Sequence, residues 1–232
     1  MHSDEIRLLG DLEDRHWWYA ERRHLIRRAI RGLRPDGVAL DVGAAAGGNT
    51  RVLRAAGWRC AALEYSRVGA ALAAERGLSV IQGDATALPV ADASLGLVVA
   101  YDVLEHIVDD AAAVREIHRA LRPGGTFLVA VPVDMRLWSA HDEAVDHVRR
   151  YERAELLDLL TAGGFVLDDV RSWNVLLRPV AAWRRRRSTG SDLDEPGPLA
   201  NAVLRAVVVV ERVLPVADRP GISLLVRAHK PR

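Results

Sequence analysis

"VALDVGAAAGGNT", Val38 to Thr50, is the stretch whose reading decides the fold. An apolar run closes on Asp41-Val42, turns through alanine and glycine, and enters a stretch that reads as a helix. An apolar run of about five residues suits a strand buried on both faces. Residues without bulk allow a tight reversal and let another molecule approach the backbone, while the next helix offers unpaired N–H groups.

The same alternation continues outward. Strands are expected at Val38–Val42, Cys60–Glu64, Leu78–Ile81, Leu95–Tyr101 and Thr126–Val131, and helices at Asn49–Ala56, Arg67–Arg76, Ala111–Leu121 and Glu152–Ala162. Short apolar strands separated by amphipathic helices predict a doubly wound, mostly parallel sheet joined by right-handed crossovers. "GFVLDDVRSW" and "GISLLVRAHK" add two strands, expected as an antiparallel pair at one edge, for seven in all. Residues 1–34, with "EDRHWWYAERRHLIRRAIRGL", read as an N-terminal helical cap stopped by Arg34-Pro35-Asp36-Gly37. Residues 35–174 and 221–232 form the core, and 175–220 a helical insertion before the last strand.

Composition narrows the function classes. The chain has 232 residues, half of them hydrophobic, and a net charge of +1, so nothing pulls it toward nucleic acid. No basic stripe with interleaved aromatics appears. Lys230 is the one lysine among 32 basic residues, a skew that lessens the meaning of arginine clusters. The single cysteine, Cys60, excludes an internal disulfide, and no Cys/His spacing of a zinc site is present, so no metal is expected. The start lacks the apolar core of a signal peptide, and no apolar run is long enough to span a bilayer, so a soluble cytoplasmic protein is expected.

The turn supports several readings by itself. Spaced as Gly43-x-Ala45-x-x-Gly48, it is a degraded dinucleotide fingerprint, and it also suits a bare strand-to-helix turn with no ligand. The second strand ends at Glu64, 21 positions after Gly43, where a carboxylate can accept both hydroxyls of a ribose. Spaced as Asp41-x-Gly43-x-Ala45-x-Gly47, the turn resembles the first motif of class I S-adenosylmethionine-dependent methyltransferases. "IQGDATALPVADASLGLVVAYDVLEHI" and "ALRPGGTFLVAVP" resemble later segments of that class, in the expected order. The resemblance extends to bacterial enzymes of the type that methylates ubiquinone and menaquinone. Ala45 departs from the middle glycine usual there, which puts the tightness of the turn in question.

The resemblance implies a Rossmann-like methyltransferase fold and S-adenosylmethionine as cofactor. It places Asp41, Gly43, Ala44, Ala45 and Gly47 at the turn, Glu64 and Tyr65 at the ribose, Asp84 and Ala85 at the adenine, and Tyr101 and Asp102 beside them. Arg22 or Arg23, on the helix carrying "HWWYAERRHLI", would meet the methionine carboxylate, with Trp18 and Tyr19 toward the acceptor. Past the fifth strand, "WSAHDEAVDHVRRYERAELLDLL" gathers His141, Asp142, His147, Arg149, Arg150 and Tyr151 near Trp138. Two histidines with an aspartate suit acid–base work. His141 is the first candidate for the base, with Asp142 orienting one ring, and His147 is the second. Glu105 and His106 compete, though they also suit a role in capping the next helix.

Three function classes stand together. Methyl transfer to a hydroxyl or activated carbon of a small or lipid-like acceptor leads. A cofactor-binding protein without methyl transfer, such as a cyclase or regulatory subunit, follows, and a nicotinamide-dependent oxidoreductase comes last. The arginine run after Trp183 and the apolar stretch Leu199–Leu214 suit a lid, a peripheral membrane contact, or plain packing on the sheet edge.

Overall fold

The expected apolar runs become strands β1 (Val38–Val42), β2 (Arg59–Glu64), β3 (Val80–Gln82), β4 (Leu95–Tyr101), β5 (Leu121–Pro132), β6 (Val166–Trp173) and β7 (Ser223–His229) in a computed structural model. It describes residues 10–185 and 196–232. The strands form one sheet ordered β3-β2-β1-β4-β5-β7-β6. The first five pair in parallel, and β7 runs antiparallel to both β5 and β6. The last strand therefore slots inside the edge, and β6 forms the edge itself.

Successive side chains of the central strands face opposite layers and both layers are buried, which is why these strands read as unbroken apolar runs. Leu40, Val42, Val98, Ala100, Phe127 and Val129 face one layer, where Val114 and Ile117 of α4 (Asp110–Ala120) and Leu156 and Leu160 of α6 (Arg153–Ala162) meet them. Ala39, Leu97, Val99, Leu128 and Ala130 face the other, against Ile26 of α1 (Trp17–Ala29) and Leu53 of α2 (Gly48–Ala55). Fully burying one such side chain contributes about 1.5–3 kcal/mol.

Local chemistry fixes the helix starts. α1 begins at Trp17, later than expected, because His16 caps it by accepting the Trp18 N–H at Nδ1 (3.2 Å). Ser66 caps α3 (Arg67–Glu75), and Glu152 and Glu155 form a capping box on α6. Asp109 caps α4, accepting the Ala112 N–H at 2.9 Å. Glu105 is therefore not the cap of that helix.

Between β6 and β7 the chain forms α7 (Arg178–Arg185) and α8 (Pro198–Glu211), with a short α5 (Ala140–Ala144) earlier. Arg186, Arg187 and most of the Ser/Gly/Asp/Pro-rich break lie outside the described residues. One side of α8 packs Val208 with Trp17 and Trp173, while Val203, Val210 and Val213 are exposed. Glu211, buried at its end, accepts the N–H groups of Asn174 (2.6 Å) and Leu176 (2.9 Å) and so ties the helix to the end of β6. Among the described residues no helix is long and apolar enough to cross a membrane.

Candidate active site

The chain runs outward from β1 through β2 to β3, then returns to place β4 on the other side of β1. At such a switch point the strand ends leave a crevice, and a cavity of about 1190 Å³ lies there. Its wall takes residues from the β1 turn, the ends of β2 and β4, the Gly83–Thr86 stretch, α1, α7 and the loop past β5.

The turn is held from below. Ala44 N–H donates to the Leu63 carbonyl (3.1 Å), and Ala45 N–H donates to Glu64 Oε2 (2.8 Å). The other Glu64 oxygen accepts the Ser66 N–H at 2.8 Å. Gly43 adopts φ +66°, and a Cβ there would sit 2.5 Å from Val103 Cγ2. Its bareness is thus required by the protein's own packing as well as by any ligand. Gly47, at φ +84°, is under the same constraint from Leu78 and does not line the cavity. Ala45 takes φ +46° despite its methyl group, a left-handed conformation that costs about 1–2 kcal/mol in an L-residue. The turn keeps its left-handed shape without the middle glycine.

Asp41 lies beneath the turn, outside the cavity wall. Its Oδ2 accepts the Thr50 hydroxyl (2.6 Å), and its buried Oδ1 has no hydrogen-bond partner among the described residues. Burial pushes its pKa up to about 7, despite the Thr50 bond, with Glu13 and Glu64 adding repulsion. Glu64, Tyr65, Asp84, Ala85, Tyr101 and Asp102 all reach the wall. Asp84 also accepts the N–H and hydroxyl of Thr86 at 2.8 Å each.

Arg22 crosses from α1 to the end of β4. It pairs with Asp102, donates to Ser223 Oγ (3.1 Å), and lies against both Trp18 and Trp173, 4.7 and 4.6 Å from their ring centres, which stand edge to face 4.5 Å apart. Although Arg22 is buried, its Nε and Nη1 have no hydrogen-bond partner among the described residues. Arg23 instead donates to the Glu13 carbonyl. Trp18 and Tyr19 both line the cavity.

On the opposite side stand Glu105, His106, His141, His147 and Arg150. Asp142 is fully buried and accepts from His147 Nδ1 (2.8 Å) and Arg150 Nε (2.8 Å). Burial works against its charge, but these two bonds prevail and hold its carboxyl well below the usual range. Burial, with His147 nearby, pushes His106 down to about 4. Burial and the Asp102 charge push Glu105 up, and among the described residues neither of its oxygens has a hydrogen-bond partner.

Three expected acceptor contacts fall elsewhere. Arg149 pairs with Asp110, the Tyr151 hydroxyl donates to Asp110 Oδ2 (2.6 Å), and Trp138 Nε1 points to Glu143 (3.4 Å). None of the three lines the cavity. Their polar groups serve to fasten the loop past β5 to the start of α4 and to itself. Sequence reasoning missed Trp173, the second ring against Arg22, and Leu177, Val180 and Ala181, the apolar wall at the start of α7 and just before it. Their role depends on where the insertion docks, which no local pattern carries.

With that geometry, the comparisons with known proteins are informative. Residues 40–129 match the family described as "Methyltransferase domain". A Mycolicibacterium smegmatis protein described as a probable S-adenosylmethionine-dependent methyltransferase is 32% identical over 170 residues, covering 70% of this chain and 65% of that protein. A demethylmenaquinone methyltransferase of Mycolicibacterium paratuberculosis is 36% identical over 117 residues, covering 50% of this chain and 48% of its own. The chain thus spans less than two thirds of the length of these curated relatives. Among solved structures, a chain of the complex between the Haloferax volcanii Trm112 methyltransferase activator and a methyltransferase superposes with a TM-score of 0.66. It is 24% identical and covers 99% of this chain and 96% of its own, a likeness of fold.

Proposed function

We propose that the protein is a class I S-adenosylmethionine-dependent methyltransferase that methylates a hydroxyl or activated carbon of a small, oily acceptor, a reading supported by the methyltransferase-domain match of residues 40–129 and by the similar Mycolicibacterium protein. The observation that carries the reading is Arg22 at the cavity wall, whose buried Nε and Nη1 lack partners among the described residues. Its Nη2 alone is engaged, by Asp102 and Ser223, so the guanidinium keeps donors and charge that favour a carboxylate in the cavity beside it. The methionine part of the cofactor has one, and Glu64 offers acceptor oxygens for its ribose. The group supplies an electrophilic methyl when bound.

The chain's residues then have three tasks. Arg22 and Glu64 fix the donor end. Val180, Ala181 and Leu177 give the acceptor an apolar wall, in keeping with the quinone named for one relative. His141 or His147 receives the proton that a hydroxyl releases. Alignment of two reactants is worth effective molarities of about 10⁵–10⁸ M, and a positioned base roughly 10²–10⁴-fold. The apolar wall from the insertion supports its reading as a cover over the acceptor.

Calorimetric titration with S-adenosylmethionine, followed by mass spectrometry of quinols and phenols incubated with the loaded protein, tests this. Binding and a gain of one methyl mass are expected. A change of two hydrogens would point to redox chemistry, and binding with no mass gain in any acceptor to a protein that holds the cofactor without transfer.

A further inference from the structure

Three side chains on the acceptor side of the cavity stand closer together than hydrogen bonding among them explains. Glu105 and His106 lie on the single 3-10 turn Leu104–His106 after β4, and His147 lies in the loop past α5. One ligand-type atom from each falls within 4.8 Å of the other two.

Backbone contacts sew the two segments together. Val148 N–H donates to the Glu105 carbonyl (2.8 Å), and His106 Nδ1 lies 3.3 Å from the Asp146 carbonyl. A carbonyl can only accept, so that contact places the His106 proton on Nδ1 and leaves a lone pair on Nε2. The Asp142 carboxylate does the same for His147, whose Nε2 then lies 3.9 Å from Glu105 Oε1. The Glu105 side chain is wholly buried, and among the described residues neither oxygen has a hydrogen-bond partner. Buried carboxylates are normally satisfied by donors or by a cation. Here the His147 Nε2 lone pair, which donates nothing, stands 3.9 Å from one such oxygen, and a ring nitrogen of His106 lies within 4.8 Å of both groups.

We propose that Glu105, His106 and His147 bind a divalent cation of the zinc, manganese or iron(II) type, with coordination left open toward the cavity. Two imidazoles and one carboxylate favour such ions over calcium and magnesium, which take mainly oxygen. Three protein ligands with a free position is the pattern of catalytic sites, not structural ones. Bonds of about 2.0–2.2 Å require donor atoms roughly 3.4 Å apart, so small side-chain rotations close the present spacing. Asp142 then acts as the carboxylate that orients a ligating histidine. An acceptor hydroxyl at the open position would release its proton more easily, and His141, its ring centre 6.2 Å from that of His147, is placed to take it. This last role rests on the methyl-transfer reading, whereas the ion site does not.

The test uses the full chain, stripped with chelator, titrated with zinc by calorimetry and with cobalt(II) by visible absorption. One ion per chain is expected, with cobalt bands of low-symmetry coordination. Glu105→Gln and His147→Ala should each weaken binding at least about tenfold, while His118→Ala, outside the cavity, should not. Circular dichroism checks that each variant folds, and His106→Ala stands in if Glu105→Gln does not. No stoichiometric ion in wild type, or equal affinity in wild type and the folded ligand variants, overturns the proposal. A Glu105→Gln protein that is more stable than wild type, with zinc present as well as absent, also overturns it, since Glu105 would then be a buried protonated acid. Cofactor titration in parallel separates the two readings: lost ion binding with intact S-adenosylmethionine binding leaves methyl transfer standing, and the reverse leaves the ion site.

Discussion

Asp142 holds His147 and not His141: its Oδ1 accepts from His147 Nδ1 at 2.8 Å, and the same oxygen accepts from Arg150. The sequence left open which of the two rings Asp142 orients, and this bond goes to His147, the second candidate for the base. The two histidines have distinct geometries, and their variants should behave differently. His141→Ala should lower the single-turnover methylation rate by about 10²–10⁴ with cofactor affinity intact. His147→Ala should raise the apparent acceptor binding constant as well as slow transfer. Near-native rates in both would remove proton acceptance from this loop.

Glu64 holds the turn through the Ala45 and Ser66 N–H groups and, in the proposed function, also the ribose. Glu64→Ala should weaken S-adenosylmethionine about ten- to a hundred-fold, since a hydrogen bond to a charged group contributes about 1.5–3 kcal/mol. It should also lower stability, because the Ala45 and Ser66 N–H groups lose their acceptor. Calorimetry and urea denaturation read the two effects separately. A folded variant with native affinity would take Glu64 out of the site.

Ala45 offers a test of the turn with no ligand involved. At φ +46° its methyl group is strained, so Ala45→Gly should stabilise the protein by about 1 kcal/mol, the relief being partly offset by greater unfolded-state freedom. A higher urea midpoint with an unchanged slope is expected. A lower midpoint would mean that the methyl group packs better than its backbone suggests.

Asp41 should make stability depend on pH in a defined direction. Its folded pKa, about 7, lies above the unfolded value, so the folded state binds more protons between the two. Stability is then fully present at low pH and is lost as pH rises from about 4 through about 7. Asp41→Asn should flatten that decline, by about 2–3 kcal/mol between roughly pH 5 and 8. Parallel slopes for wild type and variant would show that Asp41 does not titrate in this window.

Much of the fold was legible because it is written locally. Apolar runs of strand length, the Gly/Ala turn and the helix caps each depend on residues a few positions apart, and β1, β4 and α6 formed within a residue or so of expectation. The alternation of strand and helix predicted the parallel sheet, and the two late strands paired antiparallel as expected. α1 started late because the cap is His16, a residue less common at that position than Ser, Thr, Asp or Asn.

The site was legible where it follows the strands and opaque where it depends on chain return. The turn, Glu64, Asp84 and Asp102 sit at strand ends, so knowing the strands placed them together at the switch point. Sequence by itself thus determined the sheet and the position of the cavity at its switch point. Only the tertiary structure decided that Asp142 reaches His147, that Arg149, Trp138 and Tyr151 turn to structural partners, and that Gly43 is constrained by Val103. It also brought His147 to Glu105 and His106, residues about forty positions away, through backbone bonds between two loops. The physical reason is the range of each interaction: periodicity and capping act along a few residues, whereas side chains meeting across the end of a sheet are set by how whole connections pack.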